Sequence, residues 1–123
     1  MGKWRGNPYL TTNDHGTVSE KRVMKKVGAV ATPASGALLG CKSDGVLDGH
    51  PDYSFRVEAK STVNGSLSLK YDWLLKIAHE ARETNRIPAL TVSFVTGSGE
   101  CRKDGDWAMI PMRILKELLG ELQ

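Results

Sequence analysis

The residues best able to do chemistry in this 123-residue chain are three acids and a lysine: Glu20, Asp44, Glu58 and Lys60. Glu58-Ala59-Lys60 closes the run Ser54-Phe55-Arg56-Val57-Glu58-Ala59-Lys60, which alternates as a half-buried strand does. Residues two apart share a face, so Phe55, Val57 and Ala59 are expected on one side, with Arg56, Glu58 and Lys60 on the other. Thirteen residues separate Asp44 from Glu58, which suits a strand, a turn and a second strand. Two carboxylates converging from neighbouring strands can hold a hard cation such as Mg²⁺, with Mn²⁺ as a substitute. A lysine two residues along can then orient a water or stabilise developing negative charge, which is the equipment for phosphodiester hydrolysis.

Each residue also has a plainer reading. Thr17-Val18-Ser19-Glu20 matches a capping box, in which the glutamate turns back to the first amide of a helix. Asp44 before Gly45 can open a turn, and Glu58 with Lys60 can be a surface ion pair of little energetic value. Asp52 is a second candidate for the metal aspartate, but only five residues separate it from Glu58.

The elements that must place these groups can be read in outline. Residues 1–16 are expected to form a flexible basic arm, with Trp4 and Arg5 near its tip. Residues 17–123 are expected to form one domain. A helix from Thr17 or Val18 to Gly28 sets Val18, Val23, Met24 and Val27 against a basic side of Lys21, Arg22, Lys25 and Lys26. Short strands are expected at Ala29–Thr32, Ser43–Leu47 and Ser54–Lys60, with Asp48-Gly49 as a turn signal. The helix pattern over Lys70–Thr84 carries Trp73, Leu74, Ile77, Ala78 and Ala81 on one stripe, leaving Asp72, Lys76, Glu80 and Glu83 elsewhere. Pro88–Val95 reads as a buried strand, Thr96–Asp106 as a polar turn region, and Trp107–Pro111 as a further strand. A closing helix over Met112–Leu122 is expected to turn Ile114, Leu115, Leu118, Leu119 and Leu122 inward. The order α-β-β-β-α-β-β-α favours an α/β fold with a central mixed sheet flanked by helices.

Charge is distributed unevenly. Residues 1–42 contain seven basic groups (Lys3, Arg5, Lys21, Arg22, Lys25, Lys26, Lys42) and two acids, a net +5, while the remainder carries −2. Such a segment can attract a phosphate backbone or be a solvated helix face with a basic tail; Lys70 is an additional candidate DNA contact or part of a solvated strand edge, and the Trp4 ring can stack on DNA or pack on a dimer partner. No apolar stretch approaches a membrane span or a secretory leader, and two cysteines without ligand spacing are expected to be free thiols, so a cytoplasmic location is expected.

Ala31-Thr32-Pro33-Ala34-Ser35-Gly36, Lys42-Ser43-Asp44 and Val57-Glu58-Ala59-Lys60-Ser61, in that order behind a helix glutamate, resemble the archaeal and phage Holliday junction resolvases of the PD-(D/E)XK superfamily. The resemblance runs from about Ser19 to Val95. It implies a restriction-endonuclease-like core and a homodimer that cuts opposing strands of a four-way DNA junction. It further implies metal ligation by Asp44 and Glu58 with Glu20 as the helix acid, a catalytic role for Lys60, and Ser35 near the scissile phosphate. A nicking or repair endonuclease on the same core, or an inactive DNA-binding protein, are the alternatives.

Overall fold

A computed structural model describes residues 12–31 and 45–122. The elements are α1 (Thr12–Val27), β1 (Val30–Ala31), β2 (Gly45–Leu47), β3 (Phe55–Thr62), α2 (Tyr71–Glu83), β4 (Ile87–Val95), β5 (Cys101–Met109) and α3 (Met112–Glu121). Their order is the one expected from the sequence. The five strands form one mixed sheet in chain order: β1, β2 and β3 pair antiparallel, β3 and β4 parallel, and β4 and β5 antiparallel. The parallel pair requires a crossover, which α2 supplies. Among the described residues, no helix is long and apolar enough to cross a membrane.

Alternation along β3 divides the fold into two layers. Val57 packs with Val23 and Met24 of α1 and with Ala89 of β4, and Phe55 and Ala59 join the same cluster. That is the apolar face expected for Phe55, Val57 and Ala59. On the opposite face α2 lays Ile77 and Ala81 over β4, where Leu90 is fully buried. Burying side chains of this kind is worth about 1.5–3 kcal/mol each, so the two layers supply most of the drive to fold. α2 ends where Asn85 adopts the left-handed conformation (φ 55°) and the Arg86 amide donates to the Ala81 carbonyl at 2.8 Å.

Several expectations need correcting. α1 begins at Thr12, five residues ahead of Thr17, so tertiary packing carries the helix through Gly16 and into the segment expected to be an arm. The rest of that arm lies outside the described residues. The region read as a polar turn is largely strand, because β5 starts at Cys101. As the edge strand it needs little apolar sequence, and Arg102, Lys103 and Asp104 are exposed. Gly105 is required there, since a Cβ would lie 2.5 Å from the Phe94 carbonyl oxygen. In α3 only Ile114 is buried, while Leu115, Leu119 and Leu122 are exposed. Leu115 borders an open apolar groove of about 570 Å³ between α2 and the strand ends rather than filling it. Glu80, expected off the apolar stripe of α2, is buried.

Candidate active site

Glu58 and Lys60 emerge from β3 on the face covered by α2. Lys60 Nζ lies 3.5 Å from Glu58 Oε2, with the two side chains 30% and 13% exposed. The Lys60 ammonium also sits 4.6 Å from the centre of the Trp73 ring, and Lys70 approaches the same ring at 5.9 Å. Trp73, expected as core, is therefore also a cation–π platform that holds the lysine over the strand. Burial raises the pKa of Glu58 above its ordinary value. Lys60 and Lys76 oppose that shift, and the nearby Glu80 adds to it. Glu80 is only 6% exposed, and its Oε1 has no hydrogen-bond partner.

The other candidate residues are more dispersed. Asp44, Ser35, Lys42, Arg5 and Trp4 lie outside the described residues. Gly45, which follows Asp44 in the chain, pairs with Val57, which precedes Glu58. Asp52 lies at the far end of β3, beside His50, Tyr53, Phe55 and Glu121 rather than near Lys60. Glu20 is half-buried on α1, whose packing partner is the Val57 face, across the sheet from Glu58. Thr17 falls inside α1, so Thr17-Val18-Ser19-Glu20 does not cap it.

The expected basic face of α1 is only partly available to a ligand. Lys21 and Lys25 are exposed, as is Lys70 ahead of α2. Arg22 instead grips Asp106 through Nη1 at 2.7 Å and Nη2 at 2.8 Å, and Lys26 reaches the same carboxylate at 2.7 Å. Ser93 Oγ donates to Asp106 Oδ1 at 2.7 Å, so α1, β4 and β5 meet at one carboxylate. These partners, the hydrogen bond from Arg22 first, hold the Asp106 carboxyl far below the usual carboxylate range. The correction for Arg22 is that it is a clamp between helix and sheet rather than a free phosphate contact.

Nothing in the sequence around Asp106 distinguishes it from Asp104, because its partners lie 13 to 84 positions away. The Arg86–Asp48 pair, with hydrogen bonds at 2.9 and 2.7 Å, closes the β2–β3 connection onto the end of α2 and is equally non-local. Glu80 carried a faint signal: it lies seven positions after Trp73 and three after Ile77, on the stripe that faces the sheet.

Among the described residues no group of three or more histidine, cysteine, aspartate or glutamate side chains is placed to hold a metal ion. Glu58 offers the hard carboxylate oxygen that a divalent cation prefers, and its expected partner Asp44 lies outside the described residues. No protein-family profile matches this chain, and neither the curated proteins nor the solved structures contain a significant match to it.

Proposed function

We propose that this chain is a metal-dependent, structure-selective DNA endonuclease with a restriction-endonuclease-like core, and that its substrate is a four-way junction. The observation that carries the reading is the Glu58–Lys60 pair, 3.5 Å apart on one face of β3. The strand bearing it is paired antiparallel with β2 and parallel with the strand after a crossover helix. The element order from α1 to β4 is the one the Holliday junction resolvase resemblance implies, and Gly45 pairing with Val57 suits Asp44 better than Asp52 as the partner of Glu58.

In this reading Glu58 and Asp44 are the ligands of Mg²⁺, which when bound would neutralise phosphate charge and lower the pKa of water. Lys60, held by Glu58 and Trp73, is poised to orient the attacking water and offset charge on the phosphoryl oxygens. Lys21, Lys25 and Lys70 contact the backbone, so binding weakens steeply with salt. Glu20 sits across the sheet, and the reading does not depend on it. Cutting two opposed strands calls for two sites, hence a homodimer.

The test is cleavage of a synthetic four-way junction, a nicked duplex and a linear duplex side by side in Mg²⁺. Symmetric cuts confined to the junction, lost in Lys60→Ala while junction binding persists, are the expected result. Equal cutting of linear duplex would make the protein a general or repair nuclease. Junction binding with no cutting in Mg²⁺ or Mn²⁺ would make it a DNA-binding protein and overturn the enzymatic reading.

A further inference from the structure

α3 presents two apolar faces, and the fold uses one of them. Ile114 is 2% exposed and Leu118 is half-buried, so this pair seats the helix on the domain. Met112, Leu115, Leu119 and Leu122 point elsewhere and are 87%, 51%, 54% and 83% exposed. Their spacing of three, four and three residues is that of the a and d positions of a coiled-coil seam, which keeps them on one side of the helix. Leu115 also borders the groove lined by Leu74, Ala78, Pro88 and Met109, so the apolar surface continues from α3 towards α2. Contiguous exposed apolar surface of this kind marks a place where another surface docks.

The charges on α3 indicate which surface that is. Arg113 and Lys116 lie in its first half and Glu117 and Glu121 in its second, with no acid in the first turn and no base in the last. A helix is positive at its N-terminus and negative at its C-terminus, so Arg113 and Glu121 reinforce the macrodipole and disfavour the isolated helix by about 0.3–1 kcal/mol each. A second α3 lying antiparallel offsets this, because its acidic half comes alongside the basic half of the first. A parallel copy would set like charges together. A two-fold axis near Glu117 sets Met112 of one copy beside Leu122 of the other, and Leu115 beside Leu119, so the seam is complementary to itself.

We propose that α3 is a self-association seam, on which a second copy of this chain docks antiparallel to form a two-fold dimer. The helix is 10 residues long. That is about 15 Å, so helix against helix alone falls short of the roughly 800 Å² per partner of a standard interface. The groove beside Leu115 extends the contact, and the dimer is accordingly weak, dissociating at micromolar concentrations. Its use in cutting paired DNA strands rests on the nuclease reading, whereas the association does not.

The test is sedimentation equilibrium of the full chain without DNA, from ~1 to ~500 µM, the range in which a weak dimer forms. The wild type should pass from one chain towards two across it. Leu115→Lys and Leu119→Glu should each weaken association by about tenfold or more, since each places a charge in the apolar seam of both copies. Combining the two should restore part of the loss, because antiparallel copies then set the acid of one against the base of the other. Circular dichroism checks the fold of each variant, and Met112→Glu, at a position 87% exposed, replaces any that unfolds. A wild type that stays monomeric, or a dimer unmoved by either single variant, overturns the seam and leaves the face to a different partner. No recovery in the double variant overturns the antiparallel pairing. Junction cleavage in the same samples separates the two ideas. Dimerisation through α3 without cutting keeps the seam and removes the nuclease, whereas cutting by a protein that stays monomeric keeps the nuclease and removes the seam.

Discussion

Asp106→Asn should loosen α1 from the sheet, and its size follows from the contacts it disturbs. The carboxylate accepts two hydrogen bonds from Arg22, one from Lys26 and one from Ser93, all at 2.7–2.8 Å. Lys26 is 59% exposed and adds little, whereas Arg22 and Asp106 are 24% and 15% exposed. An asparagine offers one acceptor oxygen where two are used, and it removes the charge that strengthens the rest. Charge-assisted bonds contribute about 1.5–3 kcal/mol each, so losing one outright and weakening another costs about 2–3 kcal/mol. In a domain of this size that lowers the melting temperature by roughly 10 °C. The pH dependence has a defined sign. Asp106 titrates far below the ordinary carboxylate value of 3.8, so its stabilisation is complete above that value and is lost as pH falls below it. Urea titrations followed by circular dichroism should therefore separate wild type from variant fully at pH 7 and progressively less below pH 4. A midpoint unchanged at pH 7, or a gap that widens in acid, would show that this carboxylate does not fasten α1 to the sheet.

Four further outcomes are expected. Glu58→Gln should abolish Mg²⁺-dependent cleavage without lowering stability in EDTA. Burial raises the pKa of Glu58, so the folded wild type binds the proton more tightly and loses stability as pH rises through the raised value, a loss that urea titrations of the variant should lack. Trp73→Leu should cut cleavage about fivefold while sparing junction affinity, the equivalent of about 1 kcal/mol of lost cation–π support for Lys60, as measured by single-turnover rates. Gly105→Ala should destabilise by about 1–3 kcal/mol or more, because the new methyl group meets the Phe94 carbonyl oxygen, and a thermal melt detects this. Ile114→Ala should cost about 2–5 kcal/mol in the same assay, whereas Leu119→Ala should be nearly neutral, since only Ile114 anchors α3.

What could be read from the sequence was whatever a local period encodes. The alternation of Phe55 to Lys60 placed Phe55, Val57 and Ala59 on the core face of β3 and Glu58 with Lys60 on the other, and the stripe through Trp73, Ile77 and Ala81 placed α2. What stayed hidden depends on distant partners. The edge position of β5 lets it be polar, and no local rule marks a strand containing Arg102, Lys103 and Asp104. Leucine spacing in α3 gave a helix but not how deeply it sits, since five apolar positions were expected inward and the fold fully buries one of them, Ile114. The Thr17-x-x-Glu20 pattern failed for a related reason. A capping box describes a helix start, and α1 continues upstream through Gly16, where composition alone argued for a break.

The two faces of the sheet treat buried polar groups differently, and the contrast bears on function. On the α1 side, Arg22, Asp106 and Ser93 bury charge but satisfy it, and the atoms left unpaired there are a hydroxyl, Thr91 Oγ1, and an imidazole nitrogen, His15 Nδ1. On the α2 side, Glu80 has a buried oxygen without a hydrogen bond, and Lys60 is fixed against a carboxylate and an indole. A satisfied network explains itself as structure. The α2 face differs in that its unsatisfied atom belongs to a carboxylate, whose burial costs more than that of a hydroxyl or an imidazole nitrogen. In the proposed nuclease reading that face, which also carries Glu58 and Lys60, is the one where the chemistry is done.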